Sequence, residues 1–165
     1  MDTKKYILDS ATAEKKLRRM ALEVVENNLD EKEVILAGIR ESGTVIARTI
    51  QRMIGEISSL KAHLITVTLD KREPRDIQLS ETLDFDNKVI ILIDDVSNSG
   101  KTLLYALKPF LAFAPKKIQT LILVERKHNS FPVRPDYIGL SLATTLQEHI
   151  FVEVDQDTVT GAYLV

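Results

Sequence analysis

The sequence contains no cysteine. That excludes disulfides, a thiol nucleophile and a Cys-ligated zinc. Tryptophan is also missing, and aromatics are only 5% of the residues, which leaves few platforms on which bases could stack. Neither sign of charge dominates: 22 Lys+Arg stand against 24 Asp+Glu, for a net charge of −2. Nucleic-acid binding by bulk charge alone is excluded, while a local basic patch stays open. No apolar run approaches the roughly 18 residues of a membrane-spanning helix. Met1 to Lys5 is polar, so no secretory signal is expected and the cytoplasm is the default compartment. No internal repeat or low-complexity tract is visible. What remains is ordinary for a globular chain: 165 residues, 44% hydrophobic and 28% charged. One domain spanning 1–165 is expected, with enough chain for one sizeable core.

Hydrophobic periodicity sets out the elements. Leu17, Met20, Ala21, Val24 and Val25 recur at helical spacing, which predicts an amphipathic helix from about Ser10 to Asn28, with Asp9 or Ser10 as its cap. Val34–Ile39 reads as a buried strand. Thr44–Ile54 returns to helical spacing, with Gly55 as its stop. Ala62–Leu69 is β-branched and predicts another strand. Asp70–Asn87 is charged, contains Pro74 and reads as a long loop, a length that often marks function. Val89–Ile93 and Ile118–Val124 are uninterrupted aliphatic runs, typical of a parallel sheet covered on both faces. A helix is expected over Thr102–Phe113, stopped near Pro115. Short strands are expected at Tyr137–Leu142 and Ile150–Val154. The alternation predicts an α/β fold: a mostly parallel sheet with helices on both faces, and a small hood from the C-terminal strands and the N-terminus.

The most informative stretch runs from Val89 to Thr102. A buried strand delivers Asp94 and Asp95 at its C-terminal end, where open α/β sheets bind ligands. A small polar loop follows: Val96, Ser97, Asn98, Ser99, Gly100, Lys101, Thr102. Its amides and hydroxyls and the start of a helix are the parts of a phosphate cradle. Gly100 permits close backbone approach. The Gly100-Lys101-Thr102 tail is not a Walker loop, because that motif needs a glycine where this chain has Asp95. A bare Asp-Asp pair can simply cap a strand end; the whole strand–carboxylates–loop–helix pattern points instead to a ligand.

Ile93-Asp94-Asp95-Val96 with Ser99-Gly100 and Thr102 resembles the phosphoribosyl-pyrophosphate signature of the type I phosphoribosyltransferases. Tyr6–Asp9, the Ile35–Gly43 segment with its Gly38-Ile39-Arg40, and the Leu123–Gly139 segment with Arg126, His128, Pro132, Arg134 and Asp136 resemble one branch. That branch is the bifunctional pyrimidine-operon attenuator and uracil phosphoribosyltransferase. The resemblance implies transfer of a phosphoribosyl group from phosphoribosyl pyrophosphate to a nucleobase, uracil favoured, with Mg2+ as cofactor and a homodimer as the assembly. By the same resemblance Asp94 and Asp95 hold the ribose hydroxyls, with an indirect part in metal binding. Ser97 to Thr102 wrap the 5′-phosphate. The loop Arg40, Glu41, Ser42, Gly43 meets the pyrophosphate, with Arg40 taking part in catalysis together with Asp94 and Asp95. Arg126, His128 and Asp136 lie toward the base, with bracing of its own loop the alternative for His128. The alternative is a catalytically weak, nucleotide-sensing regulatory module that also binds RNA.

Three features depart from the branch. Its pyrophosphate loop carries a basic residue directly before the glycine, where this chain has Ser42, preceded by Glu41. Glu41 either faces pyrophosphate, which Coulomb repulsion opposes, or points to solvent. The branch's Tyr-Arg lid pair is replaced by Asp70-Lys71-Arg72; Lys71, Arg72 and Arg75 either reach a phosphate as a lid or form a solvated loop. Lys15, Arg18, Arg19 and Leu22 share one helical stripe, but residues 1–28 are near neutral in sum, and tight RNA binding is not expected. His63 is expected to be structural, and the three histidines show no zinc-site spacing.

Overall fold

The computed structural model describes residues 3–165; Met1 and Asp2, part of the polar start read above, lie outside the described residues. The chain opens with strand β1 (Lys5–Asp9) and helix α1 (Ser10–Glu26). Asp9 caps the helix: its carboxylate accepts a 2.7 Å bond from the Thr12 N–H. Strand β2 (Glu33–Ile39), helix α2 (Ser42–Ile57) and strand β3 (Lys61–Thr68) follow. Gly55 does not stop α2. The apolar face continues past it to Ile57, and Ser58 closes the helix by bonding the Ile54 carbonyl through both its N–H and its hydroxyl. A glycine inside a helix costs only about 1 kcal/mol, which packing overrides.

The long loop after β3 holds one short strand, β4 (Gln78–Leu79), and β5 (Val89–Ser97) comes next. Strand β5 therefore runs beyond the aliphatic run and carries both Asp94 and Asp95 within it. The helix expected over Thr102–Phe113 is two pieces, α3 (Lys101–Ala106) and a 3-10 turn (Lys108–Ala112). Pro109 explains the break, since it has no N–H for an i−4 bond and its ring crowds the preceding turn. Strands β6 (Lys117–Arg126), β7 (Tyr137–Leu142), β8 (Ile150–Asp155) and β9 (Thr158–Leu164) complete the chain.

The central sheet has the order β4-β3-β2-β5-β6-β7, parallel except for β4. Both faces are covered, as its aliphatic strands require. Along β2 and β5 the side chains alternate: Val34, Leu36, Ile91 and Ile93 pack toward α1 and α2, while Ile35, Ala37, Ile90 and Leu92 pack toward α3 and the 3-10 turn. Strands β1, β9 and β8 form a separate antiparallel sheet, the expected hood. No helix among the described residues is long and apolar enough to cross a membrane.

Candidate active site

Strands β2 and β5 are hydrogen-bonded neighbours, so the turn after β2 and the loop after β5 lie side by side at the carboxyl edge of the sheet. Gly43, in the first turn of α2, makes that approach close. A Cβ there would lie 2.7 Å from the Ile93 carbonyl oxygen and 3.0 Å from the Asp94 Cα. On the other side, Gly100 adopts φ +86°, a left-handed conformation that favours glycine. A Cβ there would lie 2.9 Å from the Val133 carbonyl oxygen, and the Ser99 carbonyl accepts from the N–H groups of Ser130 and Phe131. The polar loop after Asp95 is thus clamped by two neighbouring segments.

These elements enclose a cavity of about 500 Å3. Asp95, the whole run from Val96 to Thr102, Ser42 and Lys71 line it. Asp94 lies behind that lining, bonded to Lys71: its side chain is 2% exposed, against 17% for Asp95. Asp94 Oδ1 accepts from the Asp95 N–H at 2.9 Å, and Asp95 Oδ1 from the Val96 N–H at 2.7 Å. Burial pushes the Asp94 carboxyl well above the usual range, the Asp95 charge adds to that, and Lys71 offsets part of it. Lys71 Nζ donates to both oxygens of Asp94, at 3.1 and 3.2 Å, and lies 3.6 Å from Asp95 Oδ1. Burial lowers the Lys71 ammonium, but the two carboxylates outweigh it, and its pKa stands above the ordinary value.

One buried atom in the cavity wall is unsatisfied. The Ser97 hydroxyl has no hydrogen-bond partner among the described residues, although Ser97 is only 4% exposed. An unpaired hydroxyl beside Asn98, Ser99 and Thr102 fits a pocket for a polar, oxygen-rich ligand.

The sequence-derived candidates divide. Asp94, Asp95, Ser97 to Thr102, Ser42, Gly43 and Lys71 come together. Arg40 and Glu41 do not line this cavity. They border a neighbouring depression with Thr44, Arg48, Thr68, Gln78 and Ser80, so Glu41 does not face the Asp94–Asp95 pair. Arg72 and Arg75 are exposed on the lid loop, outside the cavity lining. Arg126 is buried and braces the chain ahead of the hood, donating to the Thr144 hydroxyl and the Thr145 carbonyl. His128 pairs with the Thr144 carbonyl at 3.1 Å. Asp136 sits at the start of β7, the opposite end from the ligand edge, where its carboxylate accepts from the Thr120 N–H. Arg126, His128 and Asp136 thus bond to Thr144, Thr145 and Thr120, and none of the three lines the cavity. The hood residues Ile150, Phe151 and Val152 also line the cavity. Their strand is legible in the sequence; its position over the site is not.

Comparison with known proteins agrees with this geometry. The phosphoribosyl transferase domain model matches residues 4–157. Bifunctional protein PyrR of Streptococcus pneumoniae is 32% identical over 166 residues, covering 94% of this chain and 95% of the relative. Among solved structures, a hypoxanthine-guanine phosphoribosyltransferase from Bacillus anthracis covers 100% of both chains with a TM-score of 0.78 at 15% identity. The hypoxanthine phosphoribosyltransferase of Trypanosoma cruzi superposes with a TM-score of 0.80 at 11% identity, over 97% of this chain and 95% of the other. At those identities the structures speak to the fold. The fold, the strand–carboxylates–loop arrangement and the matched length together place the chain in the type I phosphoribosyltransferase family, whose members are transferases.

Proposed function

We propose that this protein transfers a phosphoribosyl group from phosphoribosyl pyrophosphate to a nucleobase, with uracil the favoured acceptor. The observation that carries the reading is the cavity lined by Asp95 and the Ser97–Thr102 loop, with the unpaired Ser97 hydroxyl in its wall and Asp94 directly behind Lys71. A carboxylate pair suits a vicinal diol, because hydroxyl-to-carboxylate bonds are charge-assisted. The loop hydroxyls and amides suit a 5′-phosphate. In the reaction a base nitrogen bonds to the anomeric carbon as the carbon–oxygen bond to pyrophosphate breaks, and the sugar passes through an oxocarbenium-like state. The protein's contribution is to hold the sugar in line, exclude water and neutralise the departing charge. Lys71 and Lys101 are the cations lining the cavity.

The donor set fits Mg2+ bound through substrate. Among the described residues no three His, Cys, Asp or Glu side chains gather to cage an ion, and Mg2+ typically uses one or two carboxylates plus substrate oxygens. Asp94 and Asp95 are the residues that would hold it, and its chemistry would be to neutralise pyrophosphate as it leaves. A homodimer in the cytoplasm completes the reading. One observation favours a second reading, a nucleotide-sensing regulator of low turnover: Arg40 borders the neighbouring depression, and among the described residues no arginine lines the cavity itself. The test is release of pyrophosphate from phosphoribosyl pyrophosphate with each nucleobase in turn. Release fastest with uracil supports transfer. Faster release with a purine overturns the uracil assignment, and no release with any base, alongside uridine monophosphate binding, favours the regulator.

A further inference from the structure

Three aromatic rings form a row across the hood, and the row ends at the cavity. The chain has only five Phe and four Tyr, and three of these stand on three neighbouring strands. Tyr6 of β1 is paired in register with Tyr163 of β9, and Tyr163 with Phe151 of β8. The Tyr6 and Tyr163 ring centroids lie 5.6 Å apart. Those of Tyr163 and Phe151 are also 5.6 Å apart, and these two rings stack at 22°. Both spacings are favourable for aromatic pairs. The row is anchored at its far end: the Tyr6 hydroxyl donates to Glu153 at 3.1 Å, and the Lys4 ammonium lies 4.3 Å from the centre of the Tyr163 ring. Yet Tyr6 is 57% exposed and Phe151 48%, so burial is not what the row achieves. It also has a direction. Strand β8 is the outer strand of the hood sheet, and its Ile150, Phe151 and Val152 line the cavity. The next ring position after Phe151 therefore falls at the cavity. The lining side chains that the hood supplies are apolar, whereas Asp95 and Ser97 to Thr102 supply polar groups.

We propose that Phe151 is a stacking seat for the flat ring of the ligand, and that Tyr163 and Tyr6 hold that seat in place. This rests on the reading of the cavity given above: with the sugar and phosphate at Asp95 and Ser97–Thr102, the nucleobase becomes the fourth ring of the row. The physical gain is order. A lone exposed Phe on an outer strand loses rotamer freedom when a base stacks on it. Here the Tyr163 ring already fixes Phe151, so less entropy is lost on binding. A stacked base is recognised by its face rather than by its hydrogen-bonding edge. The seat therefore distinguishes a nucleotide from a bare sugar phosphate more than it distinguishes one base from another. Phe151 touches the base. Tyr163 acts through Phe151 and is a positioning residue.

The test is calorimetry of uridine monophosphate and of ribose 5-phosphate on the full chain, in wild type, Phe151→Leu, Phe151→Tyr, Tyr163→Leu and Tyr163→Phe. Phe151→Leu is expected to bind uridine monophosphate about tenfold more weakly and ribose 5-phosphate as wild type does, while Phe151→Tyr keeps both affinities. Tyr163→Leu is expected to lose about threefold for uridine monophosphate alone, and Tyr163→Phe to lose nothing. The uridine absorption band should weaken on binding to wild type and not to Phe151→Leu; the chain has no tryptophan to mask it. Unchanged uridine monophosphate affinity in Phe151→Leu, or an equal loss for both ligands, overturns the seat. A lower melting temperature in Tyr163→Leu with unchanged uridine monophosphate affinity overturns the positioning role of Tyr163. Ribose 5-phosphate on wild type separates this proposal from the reading it rests on. If neither ligand binds, the reading of the cavity falls and the seat with it. If ribose 5-phosphate binds as tightly as uridine monophosphate, the seat alone falls.

Discussion

Asp94 is the residue on which the site's electrostatics turn. Its carboxylate is buried against Asp95 and only partly relieved by Lys71, so its folded pKa lies well above the ordinary carboxylate value. The sign follows from linkage. The folded state binds this proton more tightly than the unfolded chain does, so the associated stability is fully present below about pH 4 and is lost as pH rises through the raised pKa. Asn is isosteric and does not titrate. The melting temperature of Asp94→Asn minus that of wild type should therefore climb as pH is raised from about 4 towards 8. A difference that is flat or falls over this range would show that Asp94 ionises as readily in the fold as outside it.

At the level of elements, the decisive contact is between the start of α2 and the end of β5. Gly43→Ala would drive a methyl group into the Ile93 carbonyl and the Asp94 backbone, neither of which can swing aside. A cost of about 1–3 kcal/mol is expected, read as a lower midpoint in urea. Gly55→Ala is the control. A Cβ there meets nothing within 4 Å, and the position is an exposed helical turn, so stability should rise by up to about 1 kcal/mol. Equal effects at the two glycines would remove the close-packed loop from the account. The elements that the sequence made legible were those with strong periodicity: the aliphatic strands, α1 and the carboxylate loop. The hydrogen bonding of Arg126 and Asp136 was not, because a charged residue reads alike in sequence whether it faces a ligand or bonds a neighbouring loop. Strand β9, with Gly161 inside it, lacked a continuous apolar run, yet it is the middle strand of the hood. The cavity lining from Ile150 to Val152 depends on that tertiary pairing and carries no local signal.

For the molecule as a whole, charge argues against strong attraction to RNA. The net charge is −2, and the basic stripe on α1 is largely spent within the fold. Arg18 pairs with Glu56, and Arg19 pairs with Glu23 and donates to the carbonyls of Ile138 and Gly139. Association with a pyrimidine-leader hairpin should be weak and non-specific, with a log–log salt slope worth only a few phosphate contacts at about −0.7 to −0.9 each. Nanomolar, sequence-selective and nucleotide-dependent binding in an anisotropy titration at physiological salt would overturn this and put regulation first. The most direct measurement of what the cavity is for is calorimetry of uridine monophosphate with wild type and Asp95→Asn. If Asp95 holds the ribose diol, the variant loses a charge-assisted bond worth about 1.5–3 kcal/mol, and affinity falls by about tenfold or more. Equal affinity in the two proteins would contradict the assignment of the Asp94–Thr102 loop as the phosphoribosyl site.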